Sequence, residues 1–221
     1  MTNLRIGILG APGSGKSTFA KALATKLRAD IPVANKRRGE VKRQTVKIID
    51  GYMDSLIKRT GYAFDIFATY PQNLQILFER WTREQEAEKD GCDTLITVGS
   101  LYETILYTGL RVNSDLALKA DKTIQMQGRV SMEMHGVIQS LIAAHDLLLF
   151  LPYTGKVLAE KGRSYDVAIN EKLPEVVAGY YRPLTPLTGT TKKKVQDALT
   201  AIKSIEAWKA KNTTVDDQSA V

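Results

Sequence analysis

Compact apolar runs alternate along the chain with stretches in which apolar residues recur every three or four positions. The runs lie at 4–9, 45–49, 94–98 and 147–151, and their length and composition are typical of strands buried in a parallel sheet. After the first run, the spacing of apolar residues predicts an amphipathic helix from Lys16 to Leu27. Strands that alternate with helices predict an α/β fold in three layers, with a mainly parallel sheet that binds ligands at the carboxyl ends of its strands.

Helical spacing also marks the segments between and after the later strands. Pro71 suits the first turn of a helix, which should bury one stripe of apolar side chains. That stripe consists of Leu74, Leu77, Phe78 and Trp81. Further helices are predicted at 115–125, 130–144, 171–181 and 191–210.

The length of 221 residues suits one domain with a full core. We expect a single domain over 1–211, and a polar tail over 212–221 that frays. Within the domain, the polar segment from about 152 to 166 contains Gly, Lys and Arg, which is typical of a mobile lid.

Composition narrows the class of protein. Hydrophobic residues make up 43% and charged residues 25%, the mix of an ordinary globular protein. The only cysteine is Cys92, so no intramolecular disulfide can form, and a reducing cytoplasm is expected. No apolar run approaches the roughly 20 residues that cross a bilayer, so no membrane partner is expected. Nothing in the sequence indicates an oligomeric state.

The net charge of +7 suits a phosphate-rich partner of any size. Much of it comes from the basic stretch 36–43, which lacks apolar periodicity and is predicted to be an exposed loop before the second strand. A contact with the backbone of DNA or another polyanion is the alternative interpretation of this stretch.

A phosphate-binding motif follows the first strand directly and opens the first helix. It reads Gly10-Ala11-Pro12-Gly13-Ser14-Gly15-Lys16-Ser17 and fits G-x-x-x-x-G-K-S. Its glycines let backbone N–H groups converge on phosphates at the positive end of the helix, while Lys16 reaches the β- and γ-phosphates and Ser17 reaches Mg²⁺. A Gly-rich turn without a ligand is the alternative. The predicted cofactors are ATP and Mg²⁺, and the predicted binding residues are Gly10, Gly13, Ser14, Gly15, Lys16, Ser17 and Thr18.

Phosphoryl transfer also requires a group that orients or deprotonates the acceptor. Asp50 directly follows the second strand and is the first candidate, although it could instead cap the next segment. Glu103 is the second candidate, with a structural role in a first helical turn as its alternative. Arg163 in the predicted lid could neutralise charge on the transferred group, or simply be solvated. Gln72 could read a base edge, or belong to an ordinary polar helix face.

With these residues, the chain resembles the kinase-type branch of P-loop proteins, and within it the AAA-type kinase domains related to bacterial nicotinamide riboside kinases. The likeness extends over most of residues 4–205, but only the P-loop motif is specific. The other matches are of order and spacing: Asp50 after strand two, Gln72 near a helix start, the polar turn 100–104, the lid sequence 160–164 and the segment from Gly179 onward, which should lead into a short strand and a helix. The resemblance implies phosphorylation of nucleoside hydroxyls or nucleotide phosphates.

The chain departs from that pattern at the end of strand three. Relatives usually carry an acid there, whereas this chain reads Val98-Gly99-Ser100, so Asp50 or Glu103 must supply the second magnesium contact or the contact is missing. Three hypotheses follow. The first is an ATP-dependent kinase of a nucleoside or nucleotide. The second is a kinase of hydroxymethylated pyrimidine (5-hydroxymethyluracil) in DNA, with 36–43 along the backbone, and the third is a non-catalytic nucleotide-binding switch.

Overall fold

The computed structural model describes residues 4–11, 13–30, 32–35, 40–50, 56, 58–61, 70–99, 103, 145–153, 173–174 and 184–216. The elements over these residues follow in chain order. They are β1 (Leu4–Leu9), α1 (Lys16–Asp30), β2 (Pro32–Asn35), β3 (Glu40–Arg43), β4 (Val46–Ile49), α2 (Tyr70–Lys89), β5 (Thr94–Val98), β6 (Leu147–Phe150), β7 (Leu184–Pro186) and α3 (Thr191–Asp216).

Five of these strands form one parallel sheet in the order β4-β5-β1-β6-β7. The strand that leads into the phosphate-binding motif is therefore central, because β1 pairs with β5 on one side and β6 on the other. Its side chains are buried at nearly every position, which explains why the sequence shows a continuous apolar run rather than alternation. The predicted strands at 4–9, 45–49, 94–98 and 147–151 are confirmed to within one residue at each end.

The sheet has helices on both faces. On one face, α1 and α3 pack together over β1, β5 and β6, and the shared core includes Ile8, Phe19, Leu23, Val195 and Ile202. On the other face lies α2, which buries Leu77 and runs antiparallel to the strands, since its last turns contact the starts of β1 and β4. The fold is thus the predicted three-layer α/β architecture.

Two secondary-structure predictions are wrong, one for the type of element and one for where a helix ends. Residues 40–43 of the basic stretch form β3, which pairs antiparallel with β2 in a separate two-stranded sheet, so the exposed-loop prediction for 36–43 fails over those residues. Hydrophobic periodicity does not reveal the hairpin because each of its strands has only four residues and three of the four in β3 are charged. The last helix runs to Asp216 rather than 210, since neither Gly nor Pro interrupts 211–216.

The predicted buried stripe of α2 is also partly wrong. Phe78 is 46% exposed and Trp81 is half-buried, whereas Ile76 and Leu77 are buried together with Arg80 and Glu84. Hydropathy assigns the last two to the surface. They lie inside because the Arg80 Nη2 donates to the carbonyl oxygen of Val98 at 2.7 Å and its Nε lies 3.6 Å from a Glu84 carboxylate oxygen. Because this charged pair is buried, the buried face of α2 is displaced by about one residue from the predicted apolar stripe.

Other expectations lie outside the described residues. These are the helices at 115–125 and 130–144, most of the helix at 171–181, and the lid from 154 onward with Arg163. The short strand that the resemblance implied after Gly179 corresponds to β7, which adds to β6 at the edge of the sheet. None of the helices in the described part of the chain combines the length and hydropathy needed to cross a bilayer.

Candidate nucleotide-binding site

The phosphate-binding loop connects the end of β1 to the start of α1 and adopts the backbone that its glycines permit. Gly13 and Gly15 have φ of 76° and 85°, the left-handed region that glycine enters without steric cost. A β-carbon on Gly15 would meet nothing within 4 Å, so the space beside this residue is open. The loop ends at Lys16, where the helix leaves unpaired N–H groups directed at the same space.

Gly10 is enclosed rather than open. A β-carbon there would lie 2.5 Å from the carbonyl oxygen of Leu151 and 2.7 Å from Oγ of Ser14. The main chain of the loop can therefore approach the end of β6 only because position 10 has no side chain. This close approach fixes where the loop leaves the sheet.

Lys16 bends back over its own loop. Its Nζ donates to the carbonyl oxygens of Gly10 and Ala11, the latter at 3.1 Å, and lies 3.6 Å from a carboxylate oxygen of Glu103. The ammonium is thus held at the loop, within the reach of a phosphate seated there. Lys16 and Glu103 are each only 13% exposed, so this ion pair is weakly screened by solvent.

Ser17 faces an acid from a different strand. Its hydroxyl donates to Oδ1 of Asp50 at 2.9 Å, and Asp50 follows β4 directly. β5 lies between β4 and β1, so this contact spans two strand positions at the carboxyl edge of the sheet. The position from which relatives are expected to supply an acid, the end of β5, is occupied by Val98 and Gly99.

Glu103 is the second acid at the loop. Its Oε1 accepts from the backbone N–H of Gly10 at 3.1 Å, just beyond the point where the N–H of Gly99 donates to Ile8 and ends the β1–β5 ladder. Asp50 and Glu103 are candidates from the sequence on separate grounds. The structure brings both of them to the phosphate-binding loop.

The residues fit a nucleoside triphosphate with Mg²⁺. Oγ of Ser14 is buried and has no hydrogen-bond partner within the described residues, although it lies in the loop where phosphate oxygens would accept from it. Ser17 and Asp50 supply the hydroxyl and carboxylate oxygens that Mg²⁺ takes, and Mg²⁺ commonly relies on few protein ligands plus phosphates. No cluster of three or more metal-ligating side chains occurs among the residues that the structure describes.

The remaining candidates are placed at different distances from the loop. Arg80 of α2 donates to the carbonyl oxygen of Val98, the last residue of β5, so the helical turns that precede Arg80 project past the carboxyl edge of the sheet. Gln72 lies eight residues before Arg80, which is about 12 Å along the helix axis. Gln72 is partly exposed there. The hairpin β2–β3 instead joins the end of α1 to the start of β4, and therefore attaches at the opposite edge. Arg163 lies outside the described residues.

Comparison with known proteins supports the architecture. A family model described as RNA helicase matches residues 6–76, less than half of the chain, and this segment contains the phosphate-binding loop. No curated protein sequence matches the chain significantly. Among solved structures, a NadR protein in complex with NR aligns over 92% of this chain with a TM-score of 0.66 and 11% identity. The chain has a three-layer P-loop fold.

Two further structures agree. A NadR protein in complex with NAD and AMP-PNP gives a TM-score of 0.61 at 11% identity, again over 92% of the chain. The thymidylate kinase from Ehrlichia chaffeensis gives 0.51 at 13% identity and is covered over its whole length. By contrast, this P-loop chain spans only about half the length of either NadR chain. At such low identities the likeness concerns the fold.

Proposed function

We propose that this P-loop protein is an ATP-dependent phosphotransferase that transfers the γ-phosphoryl group to a nucleoside or nucleotide, with Mg²⁺ as the metal. The observation that carries the proposal is the 2.9 Å hydrogen bond between Ser17 of the loop and Asp50 of a neighbouring strand, with Lys16 beside it. This arrangement joins a donor site to an acid at one edge of the sheet. The resemblance to nucleoside and nucleotide kinases supports the same substrate class.

Each residue has a defined task in this proposal. The loop amides, Ser14 and Lys16 bind the β- and γ-phosphates, and Ser17 with Asp50 holds the metal, which neutralises phosphate charge when bound. Asp50 would also orient the acceptor, because it follows β4 directly at the edge of the sheet where Ser17 lies. We assign Gln72 to the acceptor, since α2 projects over the same edge, and Arg163 to the closing lid.

The two alternatives receive less support. In the hypothesis of a kinase that acts on a base in DNA, the basic stretch 36–43 contacts the DNA backbone. Residues 40–43 of this stretch belong to the β2–β3 hairpin, which attaches at the edge of the sheet opposite the phosphate-binding loop. A non-catalytic switch was suggested by the missing acid at the end of β5. Asp50 and Glu103 provide two carboxylates at the loop in its place.

The test is ATP consumption by the purified protein with Mg²⁺ against nucleosides, nucleoside monophosphates, and DNA with and without 5-hydroxymethyluracil. We expect one class of small acceptor to stimulate turnover, and Lys16→Ala to abolish it. Stimulation by modified DNA that weakens steeply with salt would favour the DNA kinase. ATP binding without stimulation by any acceptor would contradict the kinase and favour the switch.

A second experiment addresses Asp50. We expect Asp50→Asn to lower turnover about a hundredfold or more while ATP affinity changes only a few-fold, because the amide keeps the contact with Ser17 but loses the charge and the basicity. The matched control is Asp90→Asn, which removes an exposed carboxylate paired with Lys47 at the opposite edge. Equal turnover by the two variants would contradict the role of Asp50.

A further inference from the structure

Glu103 can lie against the loop because Gly99, the residue directly after β5, has no side chain. Gly99 has φ of 66°, and a β-carbon on it would lie 2.7 Å from Oε2 of Glu103 and 3.4 Å from Nη1 of Arg80. The carboxylate therefore rests directly on the α-carbon of Gly99. A side chain at position 99, acidic or not, is incompatible with this position, or seat, of the Glu103 carboxylate.

The seat is rigid. Arg80 and Glu84 below it are each 3% exposed, and Arg80 is bonded to the carbonyl oxygen of Val98. Gly99 itself is buried and donates to Ile8 at 2.8 Å. Above the seat, the other carboxylate oxygen is held by the N–H of Gly10. The negative charge is thus fixed from both sides rather than carried on a free side chain.

This fixed charge lies beside the groups that bind phosphate. Oε1 of Glu103 is 3.6 Å from Nζ of Lys16, and both side chains are largely removed from solvent. The carboxylate offsets the positive charge of Lys16 and repels any further anion at the loop. Free ATP carries about four negative charges at neutral pH, whereas its magnesium complex carries about two, so the repulsion weighs more heavily on the free nucleotide.

We propose that Glu103 makes the loop selective for the magnesium complex of a nucleoside triphosphate over the free nucleotide, by fixing a negative charge beside Lys16 and the amide of Gly10. The proposal rests on the proposed nucleotide binding but concerns a different property, the discrimination between two ionic forms of one ligand. Asp50 and Ser17 would hold the metal, and the charge of Glu103 would weaken the binding of a nucleotide that lacks it.

The test is equilibrium binding of a fluorescent ATP analogue and its competition by ATP, in excess Mg²⁺ and in excess chelator. For the wild type, we expect the metal-free form to bind at least about tenfold more weakly. In Glu103→Gln, whose carbonyl oxygen can still accept from Gly10, we expect metal-free affinity to rise about tenfold and the affinity of the magnesium complex to change by less than about threefold. The selectivity ratio therefore falls.

Glu88→Gln is the matched control, because Glu88 pairs with Arg5 in a partly buried ion pair at the other end of β1. It should leave the ratio unchanged. Thermal unfolding of both variants identifies a loss of folding, which lowers both affinities together and cannot raise either one.

Each outcome has a distinct meaning. A wild type that binds ATP equally with and without Mg²⁺ overturns the inference without any variant. A wild type that discriminates, with a Glu103→Gln ratio equal to it, overturns the role of Glu103 but leaves the proposed kinase intact. A wild type that binds no nucleotide overturns both.

Discussion

Gly10 provides the sharpest test of the loop geometry. We predict that Gly10→Ala destabilises the fold and weakens nucleotide binding together. Its β-carbon would lie 2.5 Å from the carbonyl oxygen of Leu151, about 0.9 Å shorter than the 3.4 Å at which ordinary contact begins. Leu151 cannot easily move, since it is 1% exposed and its N–H donates to Leu9 at 2.8 Å.

The magnitude follows from this overlap. Overpacking of a close-packed interior costs about 1–3 kcal/mol. Each kcal/mol lowers the Tm by roughly 2–4 °C for a chain of this size, so we expect a decrease of about 2–12 °C. The same displacement moves Ser14, the other neighbour of the added carbon, and with it the amides of the loop. We therefore expect ATP affinity to fall at least about tenfold.

The measurements are thermal unfolding and ATP binding, with Gly61→Ala as the control. Gly61 also has a positive φ, 68°, but its β-carbon would meet nothing within 4 Å. This control should show backbone strain of about 1–2 kcal/mol and unchanged ATP affinity. If Gly10→Ala is no less stable than Gly61→Ala and binds ATP as the wild type does, the close approach between the loop and β6 is not what positions the loop.

Two further predictions concern the buried face of α2. Leu77→Ala should cost about 2–4 kcal/mol in urea unfolding, and Phe78→Ala less than about 1 kcal/mol, because only Leu77 is buried; equal costs would contradict this orientation of the helix. Arg80→Met should cost about 3–5 kcal/mol by leaving Glu84 buried without its cation, and Arg80→Met with Glu84→Leu should recover more than half of that loss. A double variant as unstable as the single one would show that the pair is not the source.

The sequence predicted those parts of the fold that depend on continuous apolar burial. β1, β5 and β6 lie inside a parallel sheet, so their runs are apolar throughout and easily recognised. Hydropathy failed at Arg80 and Glu84, since a residue's own polarity does not say whether its partner is also buried. It failed for β2 and β3 as well, because each strand has only four residues and the two pair with each other in a sheet of their own.

The candidate site also has one part that local sequence indicates and another that depends on contacts between distant segments. The phosphate-binding loop was recognisable because its glycines, lysine and serine have fixed spacing within one segment. The contact of Asp50 with Ser17 and that of Glu103 with Gly10 join segments 33 and 93 residues apart, so spacing alone suggested candidates without partners. The usable signal for Glu103 was the missing acid at the end of β5, followed by a glycine and an acid four residues later.

The attachment of the hairpin has a consequence for how this protein could diversify. Directly after β3 the chain is fastened to the sheet, since Gln44 donates to Thr94 at 2.7 Å, and Thr45 and Asp93 exchange hydrogen bonds. Changes in the length or sequence of the hairpin should therefore not extend beyond these hydrogen bonds, which lie at the opposite edge of the sheet from Lys16 and Ser17. An inserted peptide, fluorophore or affinity tag between β2 and β3 should leave the phosphate-binding loop undisturbed, and natural variation there would be similarly uncoupled from that loop.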